Sequence, residues 1–379
     1  MSAPPLSLAA RIAAEIAADG PMPLARYMAR ALLDPQGGYY TTAEPFGARG
    51  DFITAPEISQ VFGEVLALWI AQAWLDQGAP ARPLLVEPGP GRGTLMADAL
   101  RALKAVPPLR DTLRVRLVEA SPRLRKVQEA TLAPLSSGIG LGWARTLDAA
   151  LDAALDAGGG PLLLLANEFL DALPIRQFRR EGGRWHEVLV GVTDRGALGP
   201  VLAPDPAPES AVRAPGTAPL PTAGGAVVER CPAAESAVAA IAARIAASGG
   251  AALIVDYGYG ERPGRATFRA YRGHDHADPF AAPGTADLTA SVDFAALAEA
   301  ARAAGAAAFG PVTQRDLLLA LGAEARTAAL CTRATPAQAD KLRSGLARLT
   351  DATDMGEAFK ALAILPPGHP VPPGFGDPA

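Results

Sequence analysis

Residues 82–94 read RPLLVEPGPGRGT, and this stretch constrains the fold more than any other part of the chain. Pro83 to Val86 form a short apolar run between a Pro-rich turn at 78–83 and a glycine cluster, the pattern of a strand buried in a parallel sheet. The acid Glu87 comes next, then Gly89, Gly91 and Gly93 at every second position, then TLMADALRAL at helical spacing. The sequence therefore predicts a strand, a tight glycine turn and a helix. Glycines in such a turn let a ligand approach the backbone closely, and the helix start behind them offers N–H groups with no intrahelical partner.

The spacing of the glycines discriminates between ligands. A dinucleotide fingerprint G-x-G-x-x-G beginning at Gly89 needs its third glycine at position 94, where Thr94 stands. The pattern present, E-x-G-x-G-x-G, is that of an S-adenosylmethionine (SAM) loop, in which the acid at the strand end sits near a cationic ligand that has no pyrophosphate. Another nucleotide, or a purely structural turn, stays open for this motif taken alone.

Two later stretches extend the pattern. Val115 to Val118 reads as a second strand ending in Glu119. One carboxylate there can accept from both ribose hydroxyls of a nucleoside; a surface acid beside a helix cap at Ser121-Pro122 is the other reading. Leu162 to Leu165 is too apolar for an edge strand and ends abruptly in Asn167, Glu168 and Asp171. Ligands of open parallel sheets sit at the carboxyl ends of central strands, so these three are candidates for the reacting centre, with helix capping by Asn167 and two solvated acids as the alternative. Ahead of the glycine turn, residues 37–59 form a long polar and aromatic loop. Its Asp51, Thr54 and Glu57 read either as helix caps, Thr54 or Glu57 opening the helix Ile58 to Leu75, or as part of a ligand lid.

Helices are expected at Leu8 to Ala18, Leu24 to Leu33, Arg123 to Leu132, Ala233 to Ala247, Phe294 to Ala304, Gln314 to Leu321 and Pro336 to Leu349. Strands are expected at Ala251 to Val255, Ala306 to Phe309 and Phe359 to Leu365, with a hairpin over residues 176–192. Alternation of strands and helices with glycine at the turns predicts a doubly wound α/β sheet. The stretch RGHDHAD at 272–278 has metal-like residue types but gathers no further ligands, so an exposed turn and no metal are expected.

Composition narrows the function classes. Lys plus Arg total 35 against 39 acids, a net charge of −4, and no basic block stands out, so nucleic-acid binding is not expected. Cys231 and Cys331 form no paired or zinc spacing. No apolar run is long enough for a spanning helix, and the first twenty residues carry Glu15 and Asp19 against Arg11 alone, unlike a secretory or Arg-rich transit segment. The expectation is a cytoplasmic protein without membrane insertion; oligomeric state is not legible.

Taken together, GGYY (37–40), GDFITAPEIS (50–59), VEPGPGRGTLM (86–96), RLVEASPRLR (116–125), ANEFLDALPIRQF (166–178), IVDYGYG (254–260), GTADLTASVDF (284–294), MGEAFKAL (355–362) and PPGF (372–375) resemble one family over nearly the full length. It is the MidA-like SAM-dependent methyltransferases, whose mitochondrial members are protein-arginine methyltransferases assisting respiratory complex I assembly. The resemblance implies a class I methyltransferase fold, with a mostly parallel seven-stranded sheet, one antiparallel strand near the end, and added helical segments over the site. It implies that Glu87, Gly89, Gly91 and Gly93 line the methionine end of SAM, that Glu119 takes the ribose, that Asn167 and Glu168 flank the sulfonium, and that residues 50–57 close over cofactor or substrate. Leu170 departs from the family, which often has a second aromatic there.

The domain organisation expected on that template is an N-terminal helical cap at 1–82 and a methyltransferase core at 83–193 and 226–366, with helical additions at about 314–358. A Pro/Gly-rich insertion or lid follows at 194–225 and a tail at 367–379. The expected activity is methylation of a protein arginine, on a complex I-type subunit, with Glu168 and Asp171 clamping the guanidinium. A methyltransferase for another acceptor, a SAM-binding assembly factor without chemistry, and a nicotinamide oxidoreductase are the rival readings.

Overall fold

The computed structural model describes residues 6–42, 53–156, 159–273 and 275–376, and these divide into two compact units. The larger takes its described residues from 53–169, 236–260 and 297–376; the smaller takes them from 6–42, 170–235 and 261–296.

Seven strands of the larger unit make one sheet: β1 (Leu84–Pro88), β2 (Arg114–Val118), β3 (Gly140–Ala144), β4 (Leu162–Asn167), β5 (Gly250–Tyr259), β6 (Ala307–Thr313) and β7 (Phe359–Leu365). Their order is β6-β7-β5-β4-β1-β2-β3. The five strands from β5 to β3 are parallel, and β7 runs antiparallel to both β5 and β6. The expected α/β sheet, mostly parallel with one antiparallel strand late in the chain, is what forms. Chain order runs outward from β1 through β2 to β3 on one side and from β4 to β5 on the other, so the carboxyl ends of β1 and β4 flank the point where the order reverses.

Burial explains the strand choice. Every residue of β1 and β4 is buried, which only a strand covered on both faces achieves. The short helix α1 (Ala55–Ile58) precedes the long α2 (Gln60–Asp76), of which twelve residues are buried. α3 (Thr94–Ala102) and α4 (Pro122–Leu132) follow β1 and β2. Trp69 of α2 donates to the Pro373 carbonyl at 2.9 Å and meets the Phe375 ring edge-on. The stretch expected as a tail is docked through residue 376, because Phe375 joins the core.

In the smaller unit the helices Leu8–Asp19 and Leu24–Leu33 pack Ile12, Leu24, Tyr27, Met28 and Leu32 with Ile175, Val190 and Leu288. Its main sheet is antiparallel and contains the expected hairpin as Arg176–Glu181 and Arg184–Val192. Residues 198–206, expected within an aperiodic insertion, form a strand paired with Arg184–Val192. Pro200, Pro204 and Pro206 hide it from sequence reading, yet proline is tolerated where a strand has a neighbour on one side only. The stretch expected as an exposed turn contributes strand Asp275–Ala277 against Arg269–Arg272; His274 lies outside the described residues.

Candidate active site

Polar groups collect at the carboxyl ends of the central strands. Glu87 ends the apolar run of β1, is 3% exposed, and burial pushes its pKa up to about 8. Among the described residues its Oε2 has no hydrogen-bond partner. Asn167, the last residue of β4, donates through Nδ2 to Glu168 Oε1 at 3.1 Å, while its buried Oδ1 has no partner among the described residues. A buried acceptor left without a donor costs about 1–3 kcal/mol. Two of them lie at the ends of neighbouring strands, where an incoming N–H donor would satisfy them.

The glycine turn lies beside them. Gly89, Gly91 and Gly93 have φ of 63°, 52° and 82°, all left-handed, and a Cβ on Gly89 would stand 3.0 Å from the Phe169 ring. Behind the turn, fully buried Gln128 of α4 donates to the Gly91 carbonyl at 2.8 Å and to Glu119 Oε2 at 3.1 Å, and accepts from the Trp143 indole at 2.9 Å. Glu119 Oε1 accepts from the Ser121 N–H at 2.7 Å. Burial raises the Glu119 pKa against the opposing pull of these hydrogen bonds. Gln128 thus locks the glycine turn and Glu119 into one network. It was missed in the sequence, although a polar residue in line with Leu124 and Leu132 on one helix face is a readable signal.

β5 fixes the turn after β4. Asp256, fully buried, accepts from the Phe169 N–H at 3.1 Å and the Tyr257 N–H at 2.8 Å, and the Glu168 N–H donates to the Val255 carbonyl at 3.0 Å. Between these anchors Glu168 adopts φ 49°, left-handed for a residue with a side chain. Its Oε1 also accepts from the Ala55 N–H at 3.0 Å. Glu57 Oε1 takes the Thr94 hydroxyl at 3.0 Å, with Arg92 Nη1 4.0 Å from Oε2. Thr54 holds the N-cap position of α1 without a side-chain hydrogen bond to it, and α2 is opened by Ser59 rather than by Thr54 or Glu57. Asp51 lies outside the described residues.

Asp171 belongs to the smaller unit. Its Oδ2 accepts from the Thr289 hydroxyl at 2.8 Å, its carbonyl accepts from the Ala290 N–H at 3.0 Å, and burial raises its pKa. Tyr40 of the same unit donates to Asp287 at 2.9 Å, and burial, with Asp287 and Asp171 nearby, keeps its phenol protonated. Among the described residues no group of side chains is arranged to hold a metal ion.

A family model for S-adenosyl-L-methionine-dependent methyltransferases matches residues 65–312. The chain belongs to this family. This methyltransferase is 38% identical, over 95% of its length and 85% of the relative's, to the mitochondrial protein arginine methyltransferase NDUFAF7 homolog of Drosophila melanogaster. It is 36% identical to NDUFAF7 of Homo sapiens over 93% of its length and 82% of the relative's. A crystal structure of a superfamily member from Burkholderia thailandensis bound to S-adenosyl-homocysteine matches with a TM-score of 0.78 at 31% identity, covering 97% of this chain and 92% of that one. The MidA-like resemblance and the SAM cofactor read from the motifs are borne out.

The residues present fit that cofactor. SAM brings an ammonium and a sulfonium, and the unpartnered acceptors Glu87 Oε2 and Asn167 Oδ1 answer donors and positive charge. Glu119 keeps lone pairs beyond those given to Ser121 and Gln128, enough to accept from ribose hydroxyls. Gln128→Leu conserves volume but strips the Gly91 carbonyl, Glu119 and Trp143 of their shared partner. The methyltransferase variant is expected to lose about 2–4 kcal/mol in urea unfolding and roughly tenfold in calorimetric SAM affinity.

Proposed function

We propose that this methyltransferase acts on an arginine of a protein, the acceptor being a respiratory complex I-type subunit. The single observation that carries the reading is Glu168, a carboxylate held in strained left-handed backbone at the end of the central strand beside Asn167. Such strain costs about 1–3 kcal/mol and persists where surrounding structure imposes it, here through Val255 and Asp256. The names of the NDUFAF7 relatives support the same acceptor chemistry.

Bound SAM supplies an electrophilic methyl whose displacement asks for alignment more than for proton transfer. A guanidinium is planar, charged and unreactive while its lone pairs are delocalised. A carboxylate that accepts two of its N–H groups fixes the plane and draws the positive charge toward those nitrogens, leaving the third to face the methyl. Glu168 has this role, with Asp171, three residues further along the chain, as the second acid. Asn167 bridges cofactor and acceptor, one face of its amide already given to Glu168. Helix α1, with Thr54 ahead of it and Glu57 on Thr94, closes the cofactor side; Asp51, read in the sequence as part of the same lid, lies outside the described residues. The cytoplasm is part of the proposal as the place of action, and cell fractionation tests it.

Glu168→Gln keeps the shape and the capping oxygen but loses the charge. The expected outcome is SAM affinity within threefold of the parent and methyl transfer from labelled SAM to a purified complex I-type subunit reduced about a hundredfold. Full transfer by the variant overturns the clamp.

A further inference from the structure

At the opposite end of the sheet from the cofactor residues, three arginines converge from two segments 32 positions apart in the sequence. Arg114 and Arg116 alternate along β2 with buried Val115 and Leu117, so both stand on the same face. Arg82 lies two residues before β1, and the Arg114 N–H donates to the Pro83 carbonyl at 3.0 Å, which sets Arg82 beside Arg114. Arg114 Nη2 reaches the Arg82 carbonyl at 3.3 Å. Arg116 Nη1 bonds the carbonyls of Val115 at 3.1 Å and Gly140 at 3.3 Å. The rise along β2 to Glu119 is about 16 Å from Arg114 and about 10 Å from Arg116, so the group stands apart from the cofactor residues.

Three features separate the group from ordinary surface arginines. Among the described residues no carboxylate forms an ion pair with any of the three, in a chain carrying more acids than bases. Arg82 is held at φ 62°, and its carbonyl lies so close to Gly160 that a Cβ there would approach to 1.9 Å. Left-handed backbone at a side-chain-bearing residue is strain that the fold retains. The third feature is room: a Cβ at Gly142, on edge strand β3, would lie 2.6 Å from Arg116 Nη1. Gly142 leaves the space the Arg116 guanidinium occupies, and of its N–H groups only those on Nη1 bond backbone carbonyls among the described residues. Partial burial, and after it the neighbouring charges of Arg82 and Arg116, pull the Arg114 pKa down, and an arriving anion relieves the repulsive part.

We propose that Arg82, Arg114 and Arg116 form an anion-recognition surface, separate from the catalytic end, that docks a carboxylate-rich segment of a partner protein. Planar forks pair bidentately with carboxylates. Three charges across the ends of two strands suit a few acidic side chains on a short segment. A nucleic acid takes a longer basic stripe, with positive charge to match many phosphates, and no basic block stands out in the sequence. Such a surface adds binding energy far from the reacting centre and selects partners by charge.

The probe is a fluorescein-labelled peptide of alternating Glu and Ser, read by anisotropy against the full chain in low salt. The triple variant Arg82→Ser, Arg114→Ser, Arg116→Ser is expected to bind at least about tenfold more weakly, with the parent's affinity falling steeply toward 0.5 M salt, roughly. Arg333→Ser, which removes one exposed charge elsewhere, leaves binding unchanged, and unaltered SAM affinity certifies that the triple variant is folded. Single variants Arg114→Ser and Arg116→Ser serve if the triple one is not. Equal peptide binding by parent and variants, or none by the parent at millimolar peptide, overturns the proposal. Inorganic tripolyphosphate binding more tightly than the peptide, with the same arginine dependence, overturns the acidic-protein assignment in favour of phosphate.

Discussion

Gly89→Val is expected to weaken SAM binding more than about a hundredfold while the protein stays folded. Two effects coincide at this residue. Its φ of 63° is left-handed, where a β-branched side chain is a steric outlier costing a few kcal/mol. A Cβ there would also stand 3.0 Å from the Phe169 ring. That ring follows Glu168 in the turn stapled to Asp256, so it has little freedom to retreat. The backbone of residues 88–92 must therefore move, and with it the peptide groups proposed to face the cofactor. Titration calorimetry with SAM and with S-adenosylhomocysteine measures the loss, and circular dichroism confirms the fold. Gly91→Val, at φ 52°, is the companion variant with the same expected direction. Near-parental binding by either shows that the turn is not the cofactor's seat.

Legibility in the sequence followed the reach of local patterning. β1, β4 and β7 are runs of apolar residues bounded by glycine, proline or acid, so their burial is written in single-residue hydrophobicity. Glu87, Glu119, Asn167 and Glu168 were found because a polar residue ending such a run is conspicuous. Gln128 and Asp256 act by hydrogen bonds to other segments, up to 87 positions distant in the case of Asp256 and Phe169; nothing local specifies those partners. The helix Ala323–Cys331 was not expected because it buries only Ala323 and Thr327, too little apolar surface for a periodic signal. Similarly, residues 198–206 became a strand through pairing with Arg184–Val192 rather than through their own propensity, which three prolines oppose. The arginine surface was invisible because no basic block exists in the sequence; β-sheet register assembles it.

SAM binding is expected to release a proton and to strengthen with rising pH until about pH 8, then level off. Glu87 is the cause: burial alone raises its pKa to about 8, so near neutral pH the free protein holds it largely protonated. A cationic ligand favours the carboxylate and lowers that pKa. Between the lowered value and about 8, each pH unit therefore adds up to tenfold in affinity, and above about 8 the carboxylate is already ionised and no further gain follows. The stability of the ligand-free protein runs the other way. The native state keeps this proton above the usual carboxylate pKa of 4.5, whereas the unfolded chain releases it. Stability from this group is full below pH 4.5 and declines by up to about 1.4 kcal/mol per unit as pH rises toward 8. Calorimetry of SAM binding in buffers of different ionisation enthalpy counts the protons directly. Glu87→Gln removes the titrating group, so both the proton release and the pH-dependent rise should vanish while binding itself weakens. S-adenosylhomocysteine, which keeps the ammonium but lacks the sulfonium charge, identifies the charge Glu87 senses. Equal proton release with both ligands assigns the coupling to the ammonium, and release with SAM alone assigns it to the sulfonium. A parent protein that binds SAM with no proton exchange at pH 7, as the Glu87→Gln variant is expected to do, sinks the account of Glu87 as a neutral acid awaiting a cation.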